Sequence, residues 1–278
     1  MAEITLGQYY PENSIIHKLD PRVKLFGTLI FIIAIFSTNN IIGLLAIVMF
    51  LAIIIKISKV PFAKIIKGIK GILFLLVFTI VLNILFTPGT PIITFWIIKI
   101  TKEGLITGGF LTFRLTFLVL STSVLTLTTT PNDLSDGLEK SFAFLNKIHF
   151  PVHEMAMMMS LALRFIPTLV EETEKIKKAQ MARGADFETG GLMQRVKSLI
   201  PLLVPLFVSS IRRALDLAMA MESRCYHGGN RTKLKPLVYK KKDKISYLVL
   251  VGFLCVILGA GFVTNNLVMF KFLSIKAS

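Results

Sequence analysis

The chain has few acidic residues, few cysteines and few of the side chains from which active sites are built. Its 278 residues include 16 acids against 32 lysines and arginines, with two cysteines and four histidines. Two cysteines give no disulfide framework, and we expect no bond between Cys225, in a basic polar stretch, and Cys255, in an apolar run. No G-x-x-x-x-G-K-[ST] sequence occurs, so this chain has no P-loop for ATP.

Catalytic and metal-binding patterns are missing as well. His149 and His153 are four residues apart, but Pro151 stands between them, so a loop and helix start is the better interpretation than a metal site. No serine or cysteine nucleophile lies near a plausible base, which argues against an enzyme. We expect no catalytic residue and no metal site. The N-terminus shows no pattern typical of a cleavable signal peptide.

Apolar residues are abundant instead. They make up 54% of the chain, and the mean hydropathy is +0.71. Several runs approach the roughly 20 residues that a helix needs to cross a bilayer. These features predict an all-α polytopic membrane protein with about five transmembrane helices. The predicted spans are Val23–Ser37, Ile41–Ile57, Gly71–Phe86, Gly104–Thr128 and Ile245–Val263.

The positive charges predict an orientation. Lysines and arginines concentrate before the first span, between the second and third spans and before the fifth, whereas the other short loops carry few. Because positive loops mark the cytoplasmic side, we expect the N-terminus inside and the C-terminus outside, in a cell membrane. The net charge of +16 is therefore mainly a topology feature. A nucleic-acid partner is disfavoured, since no basic patch is interleaved with stacking aromatics.

Four regions follow from this topology. Residues 1–22 form a cytoplasmic N-terminal segment, 23–128 a four-span membrane domain, 129–244 a cytoplasmic domain, and 245–278 the fifth span with an external C-terminus. The cytoplasmic domain is predicted to hold three helices. The first covers Leu134 to Ile148 with Asn132 or Asp133 as its cap, the second runs from Val152 to about Ala182, and the third from about Leu192 to Arg224.

The second and third of these helices share a plan. Each begins with an apolar run of about a dozen residues, short for a span, and then becomes charged. Each ends on an arginine between small residues: Ala182-Arg183-Gly184 and Ser223-Arg224-Cys225, 41 residues apart. A guanidinium with small neighbours can enter a partner's groove lined with carboxylates or free carbonyls. The plain alternative is a solvated arginine at a helix C-terminus, which the helix dipole favours.

Two further features have open interpretations. The methionines Met155, Met157, Met158 and Met159 predict either an adaptable surface for several partners or ordinary core packing. Arg114 is the one ionisable residue clearly within a predicted span. Such residues are costly in lipid, so Arg114 faces another helix, pairs with a carbonyl, contacts a partner subunit, or packs internally.

The chain resembles EcfT, the transmembrane scaffold component of energy-coupling factor transporters, over nearly its whole length. The resemblance is carried by four stretches: Leu19 to Lys24, Arg164 to Pro167, Gln180 to Gly184, and Ala218 to Tyr226. The chain is more distantly similar to the corresponding subunit of cobalt uptake systems. Cys225 stands where a glycine or another small residue is common in the family.

The resemblance implies a function and partners. The two long helices would cross as coupling helices, with Ala182, Arg183 and Gly184 in the groove of one ABC ATPase and Ser223, Arg224 and Cys225 in that of another. A substrate-specific membrane S-component would contact the methionines, for import of vitamins or metal ions. ATP and Mg would be bound by the ATPases and no cofactor by this chain. The rival hypotheses are a self-contained secondary transporter, disfavoured because no inverted repeat is visible, and a membrane-embedded enzyme.

Overall fold

The computed structural model describes residues 9–38, 40–95, 98–148, 150–187, 191–228 and 236–276. Its described part is built from eight α-helices and one short hairpin, so the predicted all-α polytopic class is confirmed. The helices are α1 (Pro21–Ser37), α2 (Ile41–Ser58), α3 (Phe62–Phe86), α4 (Lys102–Thr128), α5 (Pro131–Ser141), α6 (Val152–Ala182), α7 (Leu192–Glu222) and α8 (Lys241–Lys276). The strands β1 (Pro91–Phe95) and β2 (Ile98–Thr101) pair antiparallel between α3 and α4.

Five helices in the described residues are long and apolar enough to cross a membrane. They contain Ile41–Ser58, Phe62–Phe86, Lys102–Thr128, Val196–Glu222 and Lys241–Gly261. Four of them match predicted spans, with α3 starting nine residues earlier than Gly71 because its lysine-rich beginning is also helical.

The fifth candidate span differs from the sequence prediction. The predicted first span is α1, whose 17 residues fall one short of the shortest helix among the five candidates. Val196–Glu222 takes its place, although its apolar run was predicted to be too short for a span. The predicted apolar run ended before the charged pair Arg212 and Arg213, whereas mostly apolar residues continue beyond that pair in the same helix to Glu222.

The region after the fourth span also differs in detail. Instead of one helix from Leu134 to Ile148, α5 ends at Ser141 and a 3₁₀ helix covers Ala143–Ile148. The hydroxyl of Thr130 accepts a hydrogen bond from the Asp133 backbone N–H at 3.1 Å. The cap is thus Thr130, and the predicted Asn132 and Asp133 lie within the first turn.

The described residues fall into two compact units. One comprises those of 7–137 and 237–278, and the other those of 138–236. In the first unit α1 packs against α8 and α4, and α3 packs against α4. Stacked rings mark its core, with 4.0 Å between the ring centroids of Phe50 and Phe253, and Phe31 stacked on both. Many apolar side chains face outward, such as Phe74 at 82% exposure, as expected for a surface in contact with lipid.

A buried polar cluster ties the start of α1 to the start of α8. The Asp243 carboxylate accepts hydrogen bonds from the backbone N–H groups of Asp20 at 3.0 Å and Lys240 at 2.7 Å. Arg22 donates to both carboxylate oxygens of Asp20 at 3.0 Å and lies 3.8 Å from the centroid of the Tyr239 ring. Because the two aspartates are buried and satisfied, the two helix starts are held together by directed bonds.

Arg114 pairs with a carbonyl, one of the alternatives that the sequence left open. Its Nη2 donates to the carbonyl oxygen of Thr38 at 3.0 Å. Thr38 is the residue at which α1 ends, so the guanidinium supplies a donor to a helix terminus inside the membrane region. This contact accounts for an ionisable residue in α4 without any partner subunit.

Replacing Asp243 by alanine should lower the stability of the first unit. The buried N–H of Asp20 and the part-buried N–H of Lys240 would lose a charged acceptor. This loss costs about 2–4 kcal/mol, so the thermal unfolding midpoint in detergent should fall by several degrees. Asp216→Ala, at an exposed position of α7, is the matched control and should leave the midpoint unchanged. Equal midpoints for both variants would show that the cluster does not hold α1 to α8.

Candidate functional site

The second unit is dominated by its two 31-residue helices, α6 and α7, which we call the arms. Their bounds confirm the sequence prediction to within two residues. Gln180, near the end of α6, donates from its side-chain amide to the carbonyl oxygen of Pro201, near the start of α7, at 3.2 Å. Further contacts join an earlier part of α6 to a later part of α7. The arms therefore pack antiparallel, each about 46 Å long.

A carboxylate holds the arms together midway. Glu172 of α6 accepts a hydrogen bond from the hydroxyl of Ser209 and forms a salt bridge with Arg213, both on α7. The side chain of Glu172 is 21% exposed and that of Arg213 is 37% exposed, so solvent screens the pair in part. No local pattern predicts this cluster, because only the antiparallel pairing brings residues 41 positions apart into contact.

The salt bridge lies at equivalent positions of the two arms. Glu172 and Arg213 differ by 41 residues, the same separation as Arg183 and Arg224. Each of these two arginines is consequently 11 residues beyond the salt bridge on its own arm, about 16 Å along a helix. Because the arms run in opposite directions, the arginines lie on opposite sides of the crossing. The two caps are therefore equally spaced, in residues, from the Glu172–Arg213 pair.

Both arms end in the same backbone motif. At the end of α6, Ala185 N–H donates to Gln180 C=O and Gly184 N–H to Met181 C=O, each at 3.0 Å. At the end of α7, Tyr226 N–H donates to Met221 C=O at 3.0 Å and Cys225 N–H to Glu222 C=O at 2.9 Å. These are the two hydrogen bonds of a Schellman cap, repeated in the same register.

The two caps differ in the residue that reverses the chain. That residue has a left-handed conformation, with φ +88° at Gly184 and φ +55° at Cys225. Glycine adopts this conformation freely, whereas a residue with a Cβ is strained there by about 1–2 kcal/mol. The predicted small neighbours of the arginines thus include the chain-reversing residue of each cap. The cap of α7 has the same geometry as that of α6, but with backbone strain at Cys225.

The caps present their arginines to solvent. All six residues of the two triplets, Ala182, Arg183, Gly184, Ser223, Arg224 and Cys225, are exposed. Within the described ranges, neither Arg183 nor Arg224 has a side-chain hydrogen bond or ion pair. Each guanidinium has five donors and a permanent charge, so both are available to carboxylates or carbonyl oxygens of another molecule.

The methionines lie at the start of α6. Met155, Met158 and Met159 are exposed and Met157 is half-buried, which disfavours ordinary core packing within this chain. On α7, a continuous apolar face is also open, with Phe207 at 66% exposure. Contact of the methionines with a partner remains a prediction.

Histidine and acidic residues in this unit have structural contacts. His153 Nδ1 lies 3.0 Å from Glu139 Oε1, linking the start of α6 to the end of α5. Its predicted neighbour His149 lies outside the described residues. Among the residues that the structure describes, no group of three or more His, Cys, Asp or Glu side chains is placed to hold a metal ion.

Comparison with known proteins gives consistent matches. The family model described as CbiQ, cobalt transport protein, matches residues 12–234. A relative from Clostridium kluyveri is 51% identical over 92% of this chain and 96% of its own length, and one from Bacillus subtilis is 46% identical over 91% and 98%. A relative from Lactococcus lactis subsp. cremoris is 43% identical over 88% and 93%. All three are named energy-coupling factor transporter transmembrane protein EcfT.

Substitutions at the chain-reversing residues Gly184 and Cys225 should change the stability of their caps in opposite directions. Gly184→Ala places a Cβ at positive φ and should loosen the α6 cap, whereas Cys225→Gly should tighten the α7 cap, each by about 1 kcal/mol. Hydrogen exchange of peptides spanning the helix ends should change by roughly fivefold, faster in the first and slower in the second. Gly191→Ala, at φ −70°, is the control and should not alter either cap. Slower exchange at the α6 end of Gly184→Ala would contradict the cap assignment.

The Glu172–Arg213 pair should show energetic coupling. A double-mutant cycle with Glu172→Ala and Arg213→Ala, read by thermal unfolding, should give about 0.5–1 kcal/mol, a small value because the pair is partly exposed. The cycle of exposed Glu174→Ala with exposed Arg212→Ala is the matched control, with an expected coupling near zero. Equal coupling in the two cycles would mean that the crossing is held by other contacts.

Proposed function

The chain belongs to the CbiQ cobalt transport protein family and to the EcfT transmembrane components of energy-coupling factor transporters within it, and we propose that its arms couple two ATPases to a substrate-binding subunit. Multi-pass membrane insertion follows from the candidate spans and the family. In the proposal α7, which has the length and composition of a span, lies with α6 on the cytoplasmic side and does not cross the membrane. In the proposal the chain is a non-catalytic scaffold. ATP is bound and hydrolysed by partner ABC ATPases, because this chain has no P-loop of its own.

The observation that carries the proposal is the duplicated arginine cap. The two caps have the same hydrogen bonds, and each lies 11 residues beyond a shared salt bridge on its own arm. ABC-type ATPases of this class would meet such a scaffold as a pair, one groove for each cap. The caps differ in sequence, Ala-Arg-Gly against Ser-Arg-Cys, which favours two related but different ATPases.

The chemistry of each contact follows from the cap. Ala182 and Gly184 leave the α6 arginine without bulky neighbours, and Ser223 and Cys225 do the same on α7. A guanidinium so placed can be buried in a groove with its five donors paired to carboxylates or to the free carbonyls of a helix end. A buried charged anchor of this kind dominates the affinity of an interface.

The exposed apolar faces of the arms give the substrate-binding S-component its contact surface. Met155, Met158 and Met159 at the start of α6 and Phe207 on α7 offer flexible and aromatic side chains suited to more than one membrane partner. The imported solute, a vitamin or a metal ion, is bound by that subunit and not by this chain.

The mechanism uses the crossing as a pivot. Closure of the ATPases on ATP moves the two caps relative to one another, and each arm transmits the displacement through the Glu172–Arg213 crossing to its apolar half. The S-component, seated on those halves, then reorients so that its solute faces the cytoplasm. The lysine-rich loops support placement of the arms on the cytoplasmic side.

Removal of the two cap arginines should abolish binding of the ATPases. Native membranes carrying Arg183→Ala with Arg224→Ala should yield, on affinity co-purification, a chain without ATPases, because losing a buried charged anchor costs several kcal/mol at each site. Mass spectrometry of the co-purified chains is the readout. Uptake should fall with the ATPases, while solute binding by the S-component stays intact.

Lys175→Ala with Arg212→Ala removes the same charge from exposed positions of the two arms and is the matched control. The control should retain both ATPases. Full ATPase recovery with the double cap variant would refute the docking role of the caps. Solute uptake by the purified wild-type chain alone would instead favour a self-contained secondary transporter.

A further inference from the structure

A cavity lies within the first unit, apart from the arms. It is a half-open cavity of about 290 Å³ between α1, α2, α4 and α8, close to the lower end of ligand pockets, ~300 Å³. Its walls are mainly apolar and include Phe31, Phe50, Ile54 and Leu250. A cavity with such walls excludes water and takes an apolar guest.

The cavity sits at the basic end of this helix bundle. It is lined by the first turns of α1 and α8 and the last turns of α2 and α4. Lys24 forms part of its wall, and its ammonium group donates to the carbonyl oxygens of His17 at 3.1 Å and Thr128 at 2.8 Å. One end of an otherwise apolar cavity therefore carries a lysine ammonium group held by two backbone carbonyls.

Further cations surround that end. Lys241 and Lys242 are exposed and lie one helical turn before Ile245 and Ser246, which line the cavity, so they share its face of α8. Lys18 is exposed in the segment that also contributes Ile16 and Leu19 to the cavity wall. Asp20 is bound to Arg22 and Asp243 to backbone amides, and Asp133 and Asp20 act electrostatically on Lys24. The exposed positive charge at this end is therefore that of Lys18, Lys241 and Lys242.

We propose that this cavity binds one anionic phospholipid, with an acyl chain in the apolar chamber and the phosphate against the lysines at its basic end. The bilayer around the spans supplies acyl chains at high local concentration, and cationic pockets between membrane helices select anionic headgroups. Inorganic phosphate alone would gain nothing from the apolar walls, and a neutral lipid would gain nothing from Lys18, Lys241 and Lys242. The combination of the two surfaces fits a molecule that carries both parts.

Native mass spectrometry of the full chain released from nanodiscs tests the proposal. The nanodiscs contain equal phosphatidylglycerol and phosphatidylcholine with the same acyl chains. Wild type should retain one phosphatidylglycerol in preference to phosphatidylcholine, and added inorganic phosphate should not displace it. Ser246→Phe fills the cavity and should lower the lipid-bound fraction about tenfold. Leu248→Phe, two residues away and 74% exposed, is the matched control and should have no effect.

The headgroup contact has its own test. Lys241→Gln with Lys242→Gln should reduce the preference for phosphatidylglycerol about tenfold, whereas Lys175→Gln with Lys178→Gln, an equal charge loss on α6, should not. Should Ser246→Phe fail to fold, Ile57→Trp fills the same cavity.

Equal retention of the two lipids by wild type, or undiminished lipid binding in the filled variants, would overturn the proposal. A dimer in the same spectra that Ser246→Phe dissociates would assign the cavity to a second copy of the chain instead.

Discussion

The antiparallel crossing of α6 and α7 at Glu172 is the constraint on which the arrangement of the arms depends. A carboxylate that bonds both Ser209 and Arg213 fixes which turn of one arm faces which turn of the other. A slip of one turn would place the Glu172 carboxylate against other side chains and shift the two arginine caps unequally from the crossing. With the observed pairing, the caps are equidistant from it. The equal spacing of the two caps is thus a consequence of the register of one helix pair.

Local interactions determine the form of each cap, and long-range interactions determine its position. The caps depend only on residues within six positions of one another, and their form is set by the left-handed residue after each arginine. The position of each cap depends on the crossing, which involves residues 41 positions apart. A substitution at Cys225 can therefore change the stability of the α7 cap without changing its position. Conversely, loss of the Glu172–Arg213 contact can loosen the crossing without unfolding a cap.

Features with strong local chemistry were predictable from the sequence, and features that need tertiary contacts were not. The start of α6 after Pro151 and its end before Gly184 were predictable, because proline and glycine mark helix ends. The apolar length of α7 was underestimated, since Arg212 and Arg213 resemble the end of an apolar run but are followed by further apolar residues in the same helix. The Glu172 cluster, the hairpin β1–β2 and the cavity between α1 and α8 have no local pattern that predicts them. The repeated small-Arg-small triplets were recognisable in the sequence, but the positive φ of Cys225 was not.

Site-specific photo-cross-linking from the caps in native membranes tests the central claim most directly. A photoreactive phenylalanine derivative is placed at position 182 or 223, beside each arginine, and at exposed position 171 as the comparison. The account predicts adducts with ABC ATPase chains from positions 182 and 223, each to its own ATPase if the two differ, and none from position 171. Adducts from neither cap position, or adducts only with membrane subunits, would contradict it.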